Sequence, residues 1–195
     1  MGEPVRVLGI AGSPRRSGNT EVLLDEALRG ASSEGALVKT LVLCNLNIAP
    51  CRHCGGCDET GVCIVDDDMQ MVHNELRSTD HLILASPIFF MGVTAQTKAM
   101  IDRCQALWVM KYCLKLPVAA NRGRERRGLF ISVGGRGEAT LFEGAIATVK
   151  SFLATIDMKY AGQLLYPRVD ETGAIRNHPS ALKDAFSAGR KLAQG

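Results

Sequence analysis

VRVLGIAGSPRRSGNT, residues 5–20, is the stretch on which the fold turns. VRVLGIA (5–11) is a short apolar run of the length and composition of a buried strand. Small and hydroxyl residues follow at once. TEVLLDEALRGAS (20–32) then places Leu23, Leu24, Ala27, Leu28 and Ala31 on one face of a helix. The succession is therefore strand, tight loop, helix.

Working outward, the same alternation continues along the chain. Strand-like runs recur at LVKTLVL (37–43), HLILAS (81–86), GLFISVGG (128–135) and, more weakly, YAGQLLY (160–166). Helical patterns lie between and after them: DDMQMVHNELRS (67–78), TAQTKAMIDRCQALWVM (94–110), LFEGAIATVKSFLATI (141–156) and PSALKDAFSAGRKLA (179–193). Five strands alternating with helices predict an α/β fold, a doubly wound parallel sheet in the flavodoxin-like order 2-1-3-4-5. No repeat or low-complexity linker divides the chain. The expectation is one domain over 1–195, with a cysteine-rich insertion at about 44–66. Ligands of such sheets sit outside the carboxyl ends of the strands, which directs attention to the loops 11–19, 87–93 and 134–140. The cysteine segment follows the second strand and is expected at the same edge.

Composition narrows the function classes. A net charge of +3 with 22% charged residues gives no footprint for nucleic acid. The one basic cluster, RGRERR (122–127), reads as a solvated loop or as a rim that attracts anionic cofactors. No stretch has the apolar length of a membrane span, and the first residues lack the pattern of a secretory signal. A cytoplasmic location, with reduced thiols, is the expectation. Seven cysteines, an odd number, argue against a disulfide framework and towards metal or redox chemistry.

In the first loop, Ser13, Ser17, Asn19 and Thr20 can add side-chain donors to the free amides of a helix N-terminus, and Arg15 can add charge. Gly18 is followed by Asn19 and Thr20, so the lysine of a nucleoside-triphosphate loop is missing. The dinucleotide pattern fails as well, since the second strand ends in VLC without an acid. The loop suits a terminal phosphate monoester, as on FMN; a capped strand-to-helix turn remains the alternative. After the third strand, Pro87 precedes an apolar run, Ile88, Phe89, Phe90 and Met91, and then Gly92. An apolar tip where the chain should turn into solvent asks for a flat ligand, another subunit or burial under its own helix. Gly134 and Gly135 allow the third loop to pass close to a planar ring.

CRHCGGCDETGVC (51–63) sets Cys51, Cys54, Cys57 and Cys63 in a compact run. Structural zinc sites pair two knuckles across a longer gap, whereas C-x2-C-x2-C is closer to a ferredoxin-type run. The alternatives are a [4Fe–4S] cluster, zinc, or free and redox-paired thiols. The four histidines form no ligand-spaced set, and His53 inside the motif adds little to four thiolates. Cys104 falls within a helical pattern and is expected in the core; Trp108 and Met110 are expected in the core or at a subunit contact, with contact to a flavin as the alternative.

GSPRRSGNT, SPIFFMGVTAQTKAMIDR and VGG after the fourth strand together resemble the NADPH-dependent FMN reductase superfamily. The cysteine run with VDDDM (65–69) resembles its iron–sulfur flavoprotein branch, and FEG (142–144) and VDETGAI (169–175) extend the likeness to nearly the whole chain. The resemblance implies a flavodoxin-like fold and FMN near a subunit interface of a homodimer or homotetramer. It implies that Ser13, Arg15, Ser17, Asn19 and Thr20 hold the phosphate. Pro87, Ile88, Phe89, Phe90 and Gly92 would line the ribityl chain and ring, with Gly134 and Gly135 beside the ring. It implies a cluster on Cys51, Cys54, Cys57 and Cys63. No catalytic triad or carboxylate pair is expected, because a flavin carries the chemistry itself. The donor would be ferredoxin-like or NAD(P)H, and the acceptor an oxygen species or a quinone. A cluster-free FMN or quinone reductase, and a flavin carrier or redox sensor without turnover, are the alternatives.

Overall fold

The computed structural model describes residues 3–120, 123–138 and 140–194. Its strands are β1 (Arg6–Ala11), β2 (Leu37–Val42), β3 (His81–Ala85), β4 (Arg127–Gly134) and β5 (Lys159–Pro167). They form one parallel sheet in the order β2-β1-β3-β4-β5, as the alternation of runs requires. The helices are α1 (Asn19–Ser32), α2 (Met69–Ser78), α3 (Ala95–Arg103), α4 (Gln105–Trp108), α5 (Glu143–Thr155) and α6 (Ala181–Ala193).

The two-residue period of the central strands feeds two cores. Val7, Ala11, Ile83, Ala85, Leu129, Ile131 and Val133 face α1 and α6. Leu8, Ile10, Leu82, Leu84 and Phe130 face the layer that contains α2, α3 and α5. On the first face α6 lies directly on α1. A Cβ on Gly189 would stand 1.8 Å from the Ala27 carbonyl oxygen, so the crossing needs glycine there.

Three expectations are corrected. The single helix over 94–110 is broken: α3 ends at Arg103, α4 is one turn long, and Val109–Cys113 is a π-helical turn. The change of helical phase carries Trp108 to the surface, 41% exposed, while Met110 and Cys104 stay buried. The basic segment is no rim of the ligand edge. It leads into the amino end of β4, the opposite edge of the sheet. Arg126 is no solvated side chain either: it is buried and donates to the carbonyls of Thr79 at 3.0 Å, Ile156 at 2.5 Å and Leu76. Arg122 lies outside the described residues, as does residue 139 of the third loop.

Candidate functional site

Two pockets concentrate the residues singled out in the sequence, and they share none of them. The first opens at the carboxyl ends of β1, β3, β4 and β5. Its deeper part, 160 Å³, is lined by Ser13, Arg15, Gly18, Asn19, Thr20, Pro87, Ile88, Phe89, Gly134, Gly135 and Asp170 among others. A wider mouth of 620 Å³ continues over Phe90, Met91, Arg136 and Leu141. Ser17 and Gly92 line neither part.

The loop after β1 is rigid before any ligand arrives. Ser13 Oγ accepts from the Arg15 amide at 3.1 Å and donates to the Arg15 carbonyl at 3.0 Å. The Ser17 amide donates to Glu21 at 2.6 Å, and Arg16 pairs with that carboxylate at 3.0 Å. Among the described residues no side chain caps α1, so amides of its first turn remain for an anion. Asn19 is spent on the scaffold: its Nδ2 donates to the Glu171 carbonyl at 2.8 Å and its Oδ1 accepts from the Ile175 amide at 3.3 Å. Arg15 donates to Thr172 Oγ1 at 3.1 Å. The loop after β5 thus closes the end of the pocket next to α1.

A buried hydroxyl network, missed in the sequence, knits three strand ends together. Thr94 Oγ1 donates to the Gly12 carbonyl at 2.5 Å, and the Gly12 amide donates to the Ala85 carbonyl at 2.7 Å. The Thr94 amide donates to Ser86 Oγ at 3.1 Å, and Ser132 Oγ donates to the Ser86 carbonyl at 2.7 Å. A Cβ on Gly12 would lie 2.1 Å from Thr97 Oγ1, so this crossing admits no side chain.

The second loop rules out burial under its own helix. Phe89 and Gly92 exchange backbone hydrogen bonds at 3.0 Å, and the two residues between them take positive φ, Phe90 at 49° and Met91 at 64°. Such a turn normally selects Asn or Gly. Here it holds a fully exposed aromatic at the pocket mouth. Strain and exposed apolar area at one spot are features of a binding surface.

The second pocket, 40 Å³, is lined by all four of Cys51, Cys54, Cys57 and Cys63, together with His53, Asp58, Ile64, Arg103, Gln105 and Ala106. The cysteine segment leaves the carboxyl end of β2, as expected, and its pocket is walled by Arg103, Gln105 and Ala106 of α3 and α4 rather than by residues of the first pocket. A buried bidentate pair holds it. Arg103 reaches Asp67 at 2.6 and 3.0 Å and donates to the carbonyls of Ala49 and Val65 at 2.8 and 3.4 Å. Asp67 also accepts from the amides of Ala49 and Met69 at 2.9 and 3.0 Å. Burial works to raise the Asp67 carboxyl, but Arg103 and these amides hold it below its usual range. Gln70 Nε2 donates to the Cys63 and Val65 carbonyls at 2.7 and 3.0 Å. Burial, the Asp58 carboxylate and the neighbouring Cys63 and Cys51 push the Cys57 thiol up.

Among the described residues, no three His, Cys, Asp or Glu side chains converge as they would on one ion. A cluster core spreads its thiolates more widely than a single ion does, and four cysteines around one pocket supply its donor set. Among the described residues the buried Arg103 Nε meets no nitrogen or oxygen acceptor at the same place. The residues fit a sulfur-rich group.

The family model for NADPH-dependent FMN reductase matches residues 5–163. Similar curated proteins include an iron–sulfur flavoprotein of Methanosarcina thermophila, 35% identical over 60% of this chain and 61% of that protein. Another, from Methanocaldococcus jannaschii, is 39% identical over 53% of each. The chain thus spans under two thirds of the length of these relatives. Among solved structures, an NAD(P)H:quinone oxidoreductase from Methanothermobacter marburgensis has the same fold, with TM-score 0.71 at 18% identity over 97% of this chain and 98% of that one. The chain belongs to the NADPH-dependent FMN reductase family, on the branch whose curated members are named iron–sulfur flavoproteins.

Proposed function

We propose that the protein is an FMN-dependent oxidoreductase of iron–sulfur flavoprotein type. It would pass electrons between a ferredoxin-like or NAD(P)H donor and a small acceptor, an oxygen species or a quinone. The observation that carries the reading is the pair of separate pockets, one at a helix N-terminus and glycine-lined, the other enclosed by four cysteines. FMN, when bound, would supply the exchange between one- and two-electron partners, and a [4Fe–4S] cluster would supply single electrons.

The chain's own residues bind and orient. The first-turn amides of α1, with Ser13, Arg15 and Thr20, receive the phosphate. Pro87, Ile88, Gly134 and Gly135 would wall the flavin ring, with Phe89 and Phe90 at the mouth. Cys51, Cys54, Cys57 and Cys63 would hold the cluster. The exposed Phe89, Phe90 and Met91 suit cover by a second copy of the chain, in a homodimer or homotetramer. Exposed thiols at Cys51 and Cys54 suit a reducing, cytoplasmic compartment. Among the described residues no helix is long and apolar enough to cross a membrane.

The test is anaerobic purification with flavin, iron and sulfide analysis, followed by reduction with NADPH and with reduced ferredoxin. FMN with iron and sulfide in the ratio of one cube, reduced by either donor, is expected. Flavin without iron or sulfide after reconstitution would instead make the protein a cluster-free reductase.

A further inference from the structure

Arg103 is the largest fully buried side chain of the molecule, 1% exposed among the described residues. Its two terminal nitrogens are occupied by Asp67 and by the Ala49 and Val65 carbonyls, the two ends of the cysteine segment. Among the described residues its Nε meets no nitrogen or oxygen acceptor, and the side chain left beside it is Cys63. A guanidinium has no acceptor function, so a buried N–H on it must donate or carry the cost of desolvation. Arg103 also lines the four-cysteine pocket, where Cys63 is its cysteine neighbour and sulfur is the acceptor available.

An ordinary structural ion pair would satisfy the whole fork. Here the carboxylate takes the two terminal nitrogens and the third donor stays behind, at the pocket. Four thiolates around an iron–sulfur core carry net negative charge, which a buried cation offsets. N–H donors to the sulfurs are among the levers that set cluster potential.

We propose that Arg103 is the positioning residue of the cysteine centre: its Nε–H donates to a sulfur of that centre, while its terminal nitrogens clamp both ends of the loop onto Asp67. This rests on the cluster reading above.

The experiment uses the full chain with FMN bound and the cluster rebuilt anaerobically from Fe²⁺ and sulfide. Iron and sulfide analysis of the wild type comes first; if no cluster assembles, the cluster reading falls and takes this inference with it. Arg103→Lys keeps the charge and lacks Nε–H. Its cluster should be reduced at a more negative potential and release iron to a chelator about tenfold faster, as for loss of other outer-shell partners. FMN content and circular dichroism should stay unchanged. Gln70→Ala, which loosens the same loop through the Cys63 and Val65 carbonyls, should leave the potential alone. An unshifted potential in Arg103→Lys, or an equal shift in Gln70→Ala, overturns the proposal. Should Arg103→Lys fail to fold, Asp67→Asn decides. It leaves Nε–H in place, so a retained potential supports the proposal and a lowered one overturns it.

Discussion

The two pockets are built in opposite ways. The pocket at the sheet edge is made from the ends of four strands, tied to one another by backbone amides and by Ser86, Thr94 and Ser132. Its parts are redundant, and each is anchored in a strand of the core. The cysteine pocket is a long excursion between β2 and α2 whose two ends meet on one ion pair, Arg103 and Asp67. The difference teaches where a single change should act locally and where it should not. The first site should lose affinity by degrees, and the second should come loose as a unit.

The largest effect is expected at the clamp. Asp67→Ala strands a buried guanidinium, at a cost of about 4 kcal/mol. Amide exchange over residues 45–66 should accelerate, while FMN affinity changes less than about threefold, or 0.6 kcal/mol. Parallel loss of FMN binding would show that the two pockets are one cooperative unit.

Acid should find the same weak side next. His73, on α2, donates from Nε2 to the Arg103 carbonyl at 3.1 Å, and burial pushes its pKa down from 6.5 to about 4. Between these values the unfolded chain binds a proton that the folded chain refuses, so stability rises with pH across the window. Denaturation at pH 7 and at pH 4 should differ by about 3 kcal/mol from this group, with His81, also lowered by burial, acting in the same direction. His73→Gln should flatten most of that slope; a slope unchanged by the substitution would place the acid sensitivity elsewhere. Asp67, held below its usual range by Arg103 and the backbone amides, keeps its charge through this window, so the clamp should outlast His73.

At the sheet edge the expected effects are smaller. Gly12→Ala forces a methyl against Thr97 Oγ1 and the Ala85 carbonyl, overpacking worth about 2 kcal/mol. Calorimetric titration should show weaker FMN binding with the cysteine loop's exchange unaltered.

The same contrast governs what the residues disclosed in sequence. Sheet order, and the convergence of Ser13, Arg15, Asn19 and Thr20, followed from neighbours along the chain, where an apolar run must be a strand and the next loop must sit at its carboxyl end. Arg103 and Asp67 are 36 positions apart, and each alone looks like a surface charge. Nothing local says that both are buried. SPIFFMGVTAQTKAMIDR and VDDDM end on or contain these residues, but a stretch can be distinctive without showing which atom it spends on what. Thr94 and Ser132 look like a helix cap and a strand hydroxyl until Gly12 is seen between them. Helical spacing presumes a continuous helix, whereas α3 stops at Arg103 and α4 restarts at Gln105, so Trp108 lies at the surface of the chain, where a core role fails and a subunit contact stays open.

The smallest effect separates stability from binding within a single residue. Phe90 is fully exposed, so its ring adds no burial to the free protein, while its φ of 49° carries the steric cost of a left-handed backbone. Asn tolerates that conformation. Phe90→Asn should therefore raise the stability of the flavin-free protein by about 0.5 kcal/mol, a fraction of the left-handed cost. It should also weaken FMN binding about tenfold, the loss of one aromatic contact. Opposite signs in the two measurements would mean that the turn keeps its strain for the ligand. If stability and affinity both fell, the ring would be packing inside the free protein and the turn would be part of the scaffold, like the hydroxyl network behind it.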